Sequence, residues 1–160
     1  MAETLPDVLL RPGTPGDADA LVALGEAVMP PTYGPVDPDY PAYMLENWWQ
    51  RDRLAASLDA IPHVVAEVDD EVVAVANLGR RGDRSVMWKL YVHPERQGLG
   101  LGSRLLAAIE ELVEDRTLWL EHVDGNDGAA AFYRGDGFVE VERVSQAPYP
   151  DVIWMRKDLR

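Results

Sequence analysis

Residues 90–113, LYVHPERQGLGLGSRLLAAIEELV, combine an apolar strand, a sharp turn, a glycine-rich loop and a helix that starts inside that loop. Gly98, Gly100 and Gly102 clear side chains from one rim of the loop. Backbone N–H groups can then approach an anion closely, and the helix N-terminus adds a favourable dipole. The chemistry expected here is the binding of a phosphate-bearing ligand. Spacing separates the kinds of phosphate loop. A dinucleotide fingerprint counted from Gly98 meets Ser103 where its third glycine belongs, and no earlier strand supplies the usual unit. A triphosphate loop requires a Gly-Lys pair, but here Ser103 and Arg104 occupy those places. What remains is Gln97-x-x-Gly100-x-Gly102 after Val92-His93-Pro94, followed by an amphipathic helix.

That pattern resembles the acyl-coenzyme A loop of the GNAT N-acetyltransferases, [QR]-x-x-G-x-[GA] between a strand and a long helix. Residues 117–138, TLWLEHVDGNDGAAAFYRGDGF, resemble the family's second signature, with Asn126, Tyr133, Gly137 and Phe138 at its positions. The resemblance implies transfer of an acyl group, usually acetyl, from acetyl-CoA to a primary amine of a small molecule or peptide, by direct attack in a ternary complex. Pyrophosphate is then expected against the N–H groups of Gln97, Gly98, Leu99, Gly100, Leu101, Gly102 and Ser103. Arg96 or Arg104 could add a charge-assisted contact. The pantetheine arm is expected beside the backbone of Leu90, Tyr91 and Val92, where side-chain identity would matter little, and an N–H near Val92 is the expected oxyanion donor.

The same resemblance assigns the proton carriers. TLWLE, residues 117–121, is similar to a strand of the enzymes that acetylate the N-terminal alanine of a ribosomal protein, in which a glutamate at the place of Glu121 serves as base. Glu67, a water chain or His122 are alternatives, although strand alternation points His122 to the opposite face from Glu121. Tyr133 stands where the family carries the acid that protonates the departing thiolate, the alternative being a core tyrosine beside Phe132. Asn126 either caps the next helix or bonds the pantetheine. The chain departs from those alanine acetyltransferases in a proline- and aromatic-rich stretch over 30–50, in His122 and Asp124, and in Gly135, which could loosen a helix end. Two other readings stay open: acylation of an antibiotic or polyamine, and a non-catalytic acyl-CoA-binding sensor, which would not need both Glu121 and Tyr133.

Bulk properties bound these readings. At 160 residues, 47% apolar and 27% charged, the chain reads as one soluble domain spanning 1–160, with a cytoplasmic setting. The lack of cysteine excludes disulfides, thiolate metal sites and a cysteine nucleophile. His63, His93 and His122 show no paired metal spacing, so no metal is expected. A net charge of −13 opposes nucleic acid and anionic membranes, and it would suit a cationic amine as well as simple solubility. Homodimers are common in the family, but no interface is marked in the sequence.

The elements that must position these residues are an α/β set: a mixed, mostly antiparallel central sheet with flanking helices, as in the GNAT fold. A strand at 8–11 leads to Thr14-Pro15-Gly16-Asp17, a helix start. Leu21, Val22, Leu24 and Val28 share a helical face. Five prolines and Gly34 predict an irregular loop over 30–41, and one or two helices follow over 40–59. Tyr33, Tyr40, Tyr43, Trp48 and Trp49 either line an acceptor pocket or pack in the core. HVVAEV and VVAVANL predict a hairpin, Arg80-Arg81-Gly82-Asp83 a turn, and 85–93 one strand. A helix with Leu105, Ile109, Leu112 and Val113 on one side, a parallel strand over 117–123, and two antiparallel strands near 138–144 and 151–157 complete the set.

Overall fold

The computed structural model describes residues 7–159. Its strands are β1 (Val8–Pro12), β2 (His63–Val68), β3 (Glu71–Asn77), β4 (Gly79–Arg81), β5 (Arg84–Met87), β6 (Leu90–Val92), β7 (Thr117–Val123), β8 (Val139–Gln146) and β9 (Tyr149–Asp158). Its α-helices are α1 (Ala18–Tyr33), α2 (Tyr40–Trp48), α3 (Arg51–Ala60), α4 (Leu101–Leu112) and α5 (Asp127–Asp136). The strands form two sheets, ordered β1-β2-β3-β6 and β4-β5-β7-β9-β8. Every pairing is antiparallel except β5 with β7, joined through the α4 crossover. Among the described residues no helix is long and apolar enough to cross a membrane.

Alternation along the strands builds a core on each face. Ala66, Ala74 and Ala76 face α4, where Leu101, Leu105, Leu106 and Ile109 form a buried stripe at helical spacing with Leu118, Leu120 and Met155. Val65 and Val75 face the other way, into Leu21, Leu24, Val28 and Met29 of α1 together with Trp49, Leu54 and Leu58. The β2–β3 turn has both central residues at positive φ, Asp69 at 53° and Asp70 at 64°, matching the twist of the hairpin. Lys157 of β9 pairs with Glu110 of α4 at 2.7 Å and Asp136 of α5 at 2.9 Å, tying two helices to the second sheet.

Three expectations are corrected. The irregular stretch begins later than 30, because α1 continues through Pro30 and Pro31 to Tyr33. The carbonyls those prolines cannot serve belong to Glu26 and Ala27, on the side where Glu26, Pro30 and Pro31 are exposed and water can serve instead. Burial of Met29 and Tyr33 holds the last turn. Arg80 and Arg81 are strand residues of β4, and the turn is confined to Gly82-Asp83, with Gly82 at φ 61°. Most consequential is the strand expected over 85–93, which divides at Trp88-Lys89: β5 pairs with β7, whereas β6 pairs with β3 in the other sheet.

Gly25 shows how closely α1 packs. A Cβ there would come within 2.6 Å of the Trp49 ring, and Trp49 is almost wholly buried. Gly25→Ala gains about 1 kcal/mol of helix propensity, which the overpacking exceeds, so a net loss of about 1–2 kcal/mol is expected as a lowered thermal midpoint.

Candidate active site

The divided strand opens a fork. Ser85, Val86 and Met87 run level with Leu118, Trp119 and Leu120 of β7, but beyond them β6 turns away to pair with β3. Lys89 N–H donates to the Asn77 Oδ1 at 2.7 Å, and the Asn77 N–H donates to the Lys89 carbonyl at 3.2 Å, so one amide side chain holds the chain where it changes sheets. Between β6 and the end of β7 lies a cleft of about 730 Å³.

One end of the cleft is the glycine loop. Gly98 lies at φ 91° and Gly100, the residue before α4, at φ 70°, the left-handed region that favours glycine. Among the described residues, nothing beyond the adjoining residues lies within 4 Å of where a Cβ would stand on either, so the loop leaves open space in front of the α4 N-terminus. The first N–H groups of a helix have no intrahelical acceptor, and they carry its positive dipole end. This cradle fits the pyrophosphate of an acyl-CoA. Gln97, Gly98, Gly100, Leu101, Gly102 and Ser103 line the cleft, as does Arg96, which also approaches Asp69 at 3.4 Å. Leu99 does not, because it packs against the core, and Arg104 is also outside the lining.

Leu90, Tyr91 and Val92 form one wall. Among the described residues the β6 edge away from β3 has no strand partner, so its backbone groups are available to an extended ligand. Tyr91 also makes side-chain contacts of its own. Its hydroxyl lies 2.9 Å from that of Tyr33, and its ring meets Trp49 edge-on at 5.4 Å. Burial pushes the Tyr33 phenol up to about 12 and the Tyr91 phenol well above its ordinary value, so both stay protonated. In such a pair one hydroxyl donates to the other, and the acceptor's own proton stays available.

Opposite stands β7, which presents Glu121 and His122 to the cleft. Glu121 is level with Trp154 and His122 with Ile153, so their side chains leave opposite faces, as alternation predicts. Burial raises the Glu121 carboxyl above the ordinary carboxylate value, partly offset by the Arg81 guanidinium. The His122 Nε2 is buried without a hydrogen-bond partner among the described residues. Glu67, the other candidate base, lies outside the lining and is held by Arg11 at 2.8 Å, which also grips Asp17 at 2.7 Å.

The third wall is α5. Asn126 accepts from the Ala129 N–H at 3.4 Å, capping the helix, and also lines the cleft. Gly135 does not end α5 early. The helix runs to Asp136 and closes on Gly137 at φ 107°, with the Phe138 N–H donating to the Tyr133 carbonyl at 3.0 Å. Tyr133 lines the cleft and is buried, and that burial raises its phenol. Of the aromatic residues over 33–49 only Tyr33 lines the cleft. Tyr43 stacks on both Tyr40 and Tyr149, Trp49 is core, and Trp48 is exposed beneath Arg53. Met87, Trp88 and Phe132 are further lining residues that the sequence reading did not assign. Among the described residues no group of three His, Cys, Asp or Glu side chains could hold a metal ion.

The sequence model of the Acetyltransferase (GNAT) family matches residues 21–138. The N-alpha-acetyltransferase RimI of Mycobacterium tuberculosis is 33% identical over 110 residues, covering 62% of this chain and 69% of that protein. PaiA N-acetyltransferase of Thermoplasma acidophilum, solved with coenzyme A, superposes with a TM-score of 0.82 at 18% identity, over 95% of this chain and 99% of that one. The ribosomal-protein-S18-alanine N-acetyltransferase of Escherichia coli gives 0.72 at 20% identity, over 96% and 94%. These two structures agree in fold, and the match of sequence across most of the chain goes further: this is a member of the GNAT acetyltransferase family, an enzyme with acetyl-CoA as its cosubstrate.

Proposed function

We propose that residues 1–160 act as one domain that transfers the acetyl group of acetyl-CoA to the free N-terminal amine of a peptide or protein, by direct attack while both substrates occupy the fork. The observation that carries this reading is a carboxyl, Glu121, and a phenol, Tyr133, on one cleft whose far end is the glycine loop. The similarity to an N-alpha-acetyltransferase supports a peptide amine as acceptor.

The reaction forms an N–C bond and breaks the thioester C–S bond. An α-amino group has a pKa of about 7.7–8.0, so part of it is protonated near neutrality and must lose that proton before attack. Glu121 is the proposed base, directly or through one water, and its buried setting brings its proton affinity closer to that of the amine. Tyr133, kept protonated at neutral pH by its raised pKa, is the proposed hydrogen-bond donor to the departing thiolate, and any proton it passes on is replaced by the one the amine gives up. Gln97, Gly98, Gly100, Leu101, Gly102 and Ser103 are the proposed pyrophosphate cradle. The β6 backbone and Asn126 would orient the pantetheine arm.

A thiol of ordinary pKa, about 8.5, is already a fair leaving group, so acid assistance contributes less than base assistance. Tyr133→Phe is expected to lower kcat by about tenfold, below the usual range for a general acid. Single-turnover kinetics check this. Calorimetric titration with acetyl-CoA, followed by thiol release over a panel of N-terminal-alanine peptides and simple amines, tests the whole proposal. Saturable binding with turnover on peptides is expected. Turnover on simple amines alone would overturn the peptide assignment, and absence of binding would overturn the reading entirely.

A further inference from the structure

Glu121 belongs to a sheet face that carries an arginine–tryptophan lattice. Cross-strand pairing sets Arg81 level with Arg84, Trp119 level with Arg156, and Glu121 level with Trp154, all on the same side as Glu121. The Arg81 guanidinium lies 5.4 Å from the Trp154 ring centroid, and Arg84 lies 3.9 Å from that of Trp119. Trp154 meets Trp88 edge-on at 5.8 Å, and Trp88 lines the cleft. A continuous path therefore runs from the cleft over Trp88 to Arg81.

Two carboxylates of this face other than Glu121 are engaged. Glu142 pairs with Arg84 at 3.3 Å, and Asp158 accepts from the Thr117 hydroxyl at 3.1 Å. Asp115, at its border, accepts from Ser85 at 2.6 Å and from Arg80. Arg81 is exposed and has no carboxylate within ion-pair distance among the described residues. In a chain of net charge −13 it is a cation without an ion-pair partner among the described residues, reached from the cleft lining through Trp88 and Trp154. A guanidinium near an indole face gains a cation–π attraction and still has N–H donors for a carboxylate.

We propose that Arg81, backed by Trp154 and fronted by Trp88, binds an anionic group of the acceptor, so that the preferred acceptor is a peptide with an acidic residue at its second or third position. This rests on the peptide-acetyltransferase reading above. An extended chain advances about 3.4 Å per residue, so a side chain one or two residues behind an amine held at Glu121 reaches the Trp88–Trp154 region. The local charge thus selects the opposite sign of acceptor from the one the overall charge suggests.

The test compares peptides beginning Ala-Asp-Glu, Ala-Ser-Ser and Ala-Lys-Lys, assayed by thiol release with the full chain and its Arg81→Gln and Arg81→Glu variants. The native protein is expected to favour the acidic over the basic peptide by about tenfold in kcat/KM, expressed mainly in KM. Arg81→Gln collapses that ratio, and Arg81→Glu inverts it. Ratios carry the test because Arg81 also lowers the Glu121 carboxyl, so its loss affects all acceptors alike. Turnover without acidic preference, or a preference that survives Arg81→Gln, overturns the inference and leaves peptide acetylation standing. A change of sedimenting mass in Arg81→Glu would also overturn it, since the face would then be a contact between two copies. If no peptide is turned over, the peptide reading falls and the inference falls with it.

Discussion

Glu121→Gln is expected to lower kcat/KM by about 10²- to 10⁴-fold near neutral pH, the range for a positioned general base. The accompanying pH dependence separates this from a structural effect. Burial raises the Glu121 carboxyl, so in the native protein the rate falls as pH decreases through that raised value, at higher pH than an ordinary carboxylate would give. In the variant that limb disappears. Stability moves in the other direction. A carboxyl whose folded pKa exceeds its unfolded pKa imposes no cost below the unfolded value, and it opposes folding increasingly as pH rises through the folded one. Glu121→Gln is therefore expected to melt at higher temperature than the native protein at pH 7, with the difference vanishing in acid. Loss of activity combined with gain of stability identifies a group held in an unfavourable setting for its chemistry. A rate unchanged at every pH would remove Glu121 from the proposed mechanism.

Gly100→Glu is expected to abolish measurable acetyl-CoA binding. Two effects combine in this variant. The left-handed backbone at φ 70° costs an L-residue about 1–2 kcal/mol, and a carboxylate now projects into the open space before the α4 N-terminus, where phosphate is expected. Gly100→Ala separates them, because it carries the strain without the charge. Calorimetry should find Gly100→Ala weakened but saturable and Gly100→Glu without heat of binding, while circular dichroism shows both folded. Equal affinities in all three proteins would place the phosphates elsewhere.

Much of this architecture is legible in the sequence because local chemistry sets it. Gly98 and Gly100 specify a left-handed loop that few other residues could form, and alternation in TLWLEHV separates the side chains of Glu121 and His122. The errors arise where long-range contacts overrule local signals. Pro30 and Pro31 predict a break, but Met29 and Tyr33 are buried strongly enough to extend the helix past them. Residues 85–93 read as one strand because no proline or glycine interrupts them. The interruption comes from Asn77, a distant residue whose side chain takes the place of a ladder partner. That division creates the cleft, so the feature on which the site depends most is the one that local pattern shows least. The Tyr33–Tyr91 pair is hidden for the same reason, since its members lie 58 positions apart.

An enzyme that handles an activated thioester is surrounded by its own potential victims, and the two lysines of this chain are placed accordingly. Lys157 is kept cationic between Glu110 and Asp136, which raise its pKa and leave it without a free nucleophilic lone pair. Lys89, at the division of the sheet, is brought down to about 8 by burial and the charge of Arg53, so a fraction is neutral near physiological pH. Its amine nevertheless rests 4.7 Å from the centroid of the Trp49 ring and is not part of the cleft lining. The side-chain amines of this protein are thus either charged or covered, and self-acylation is restrained by composition and packing together.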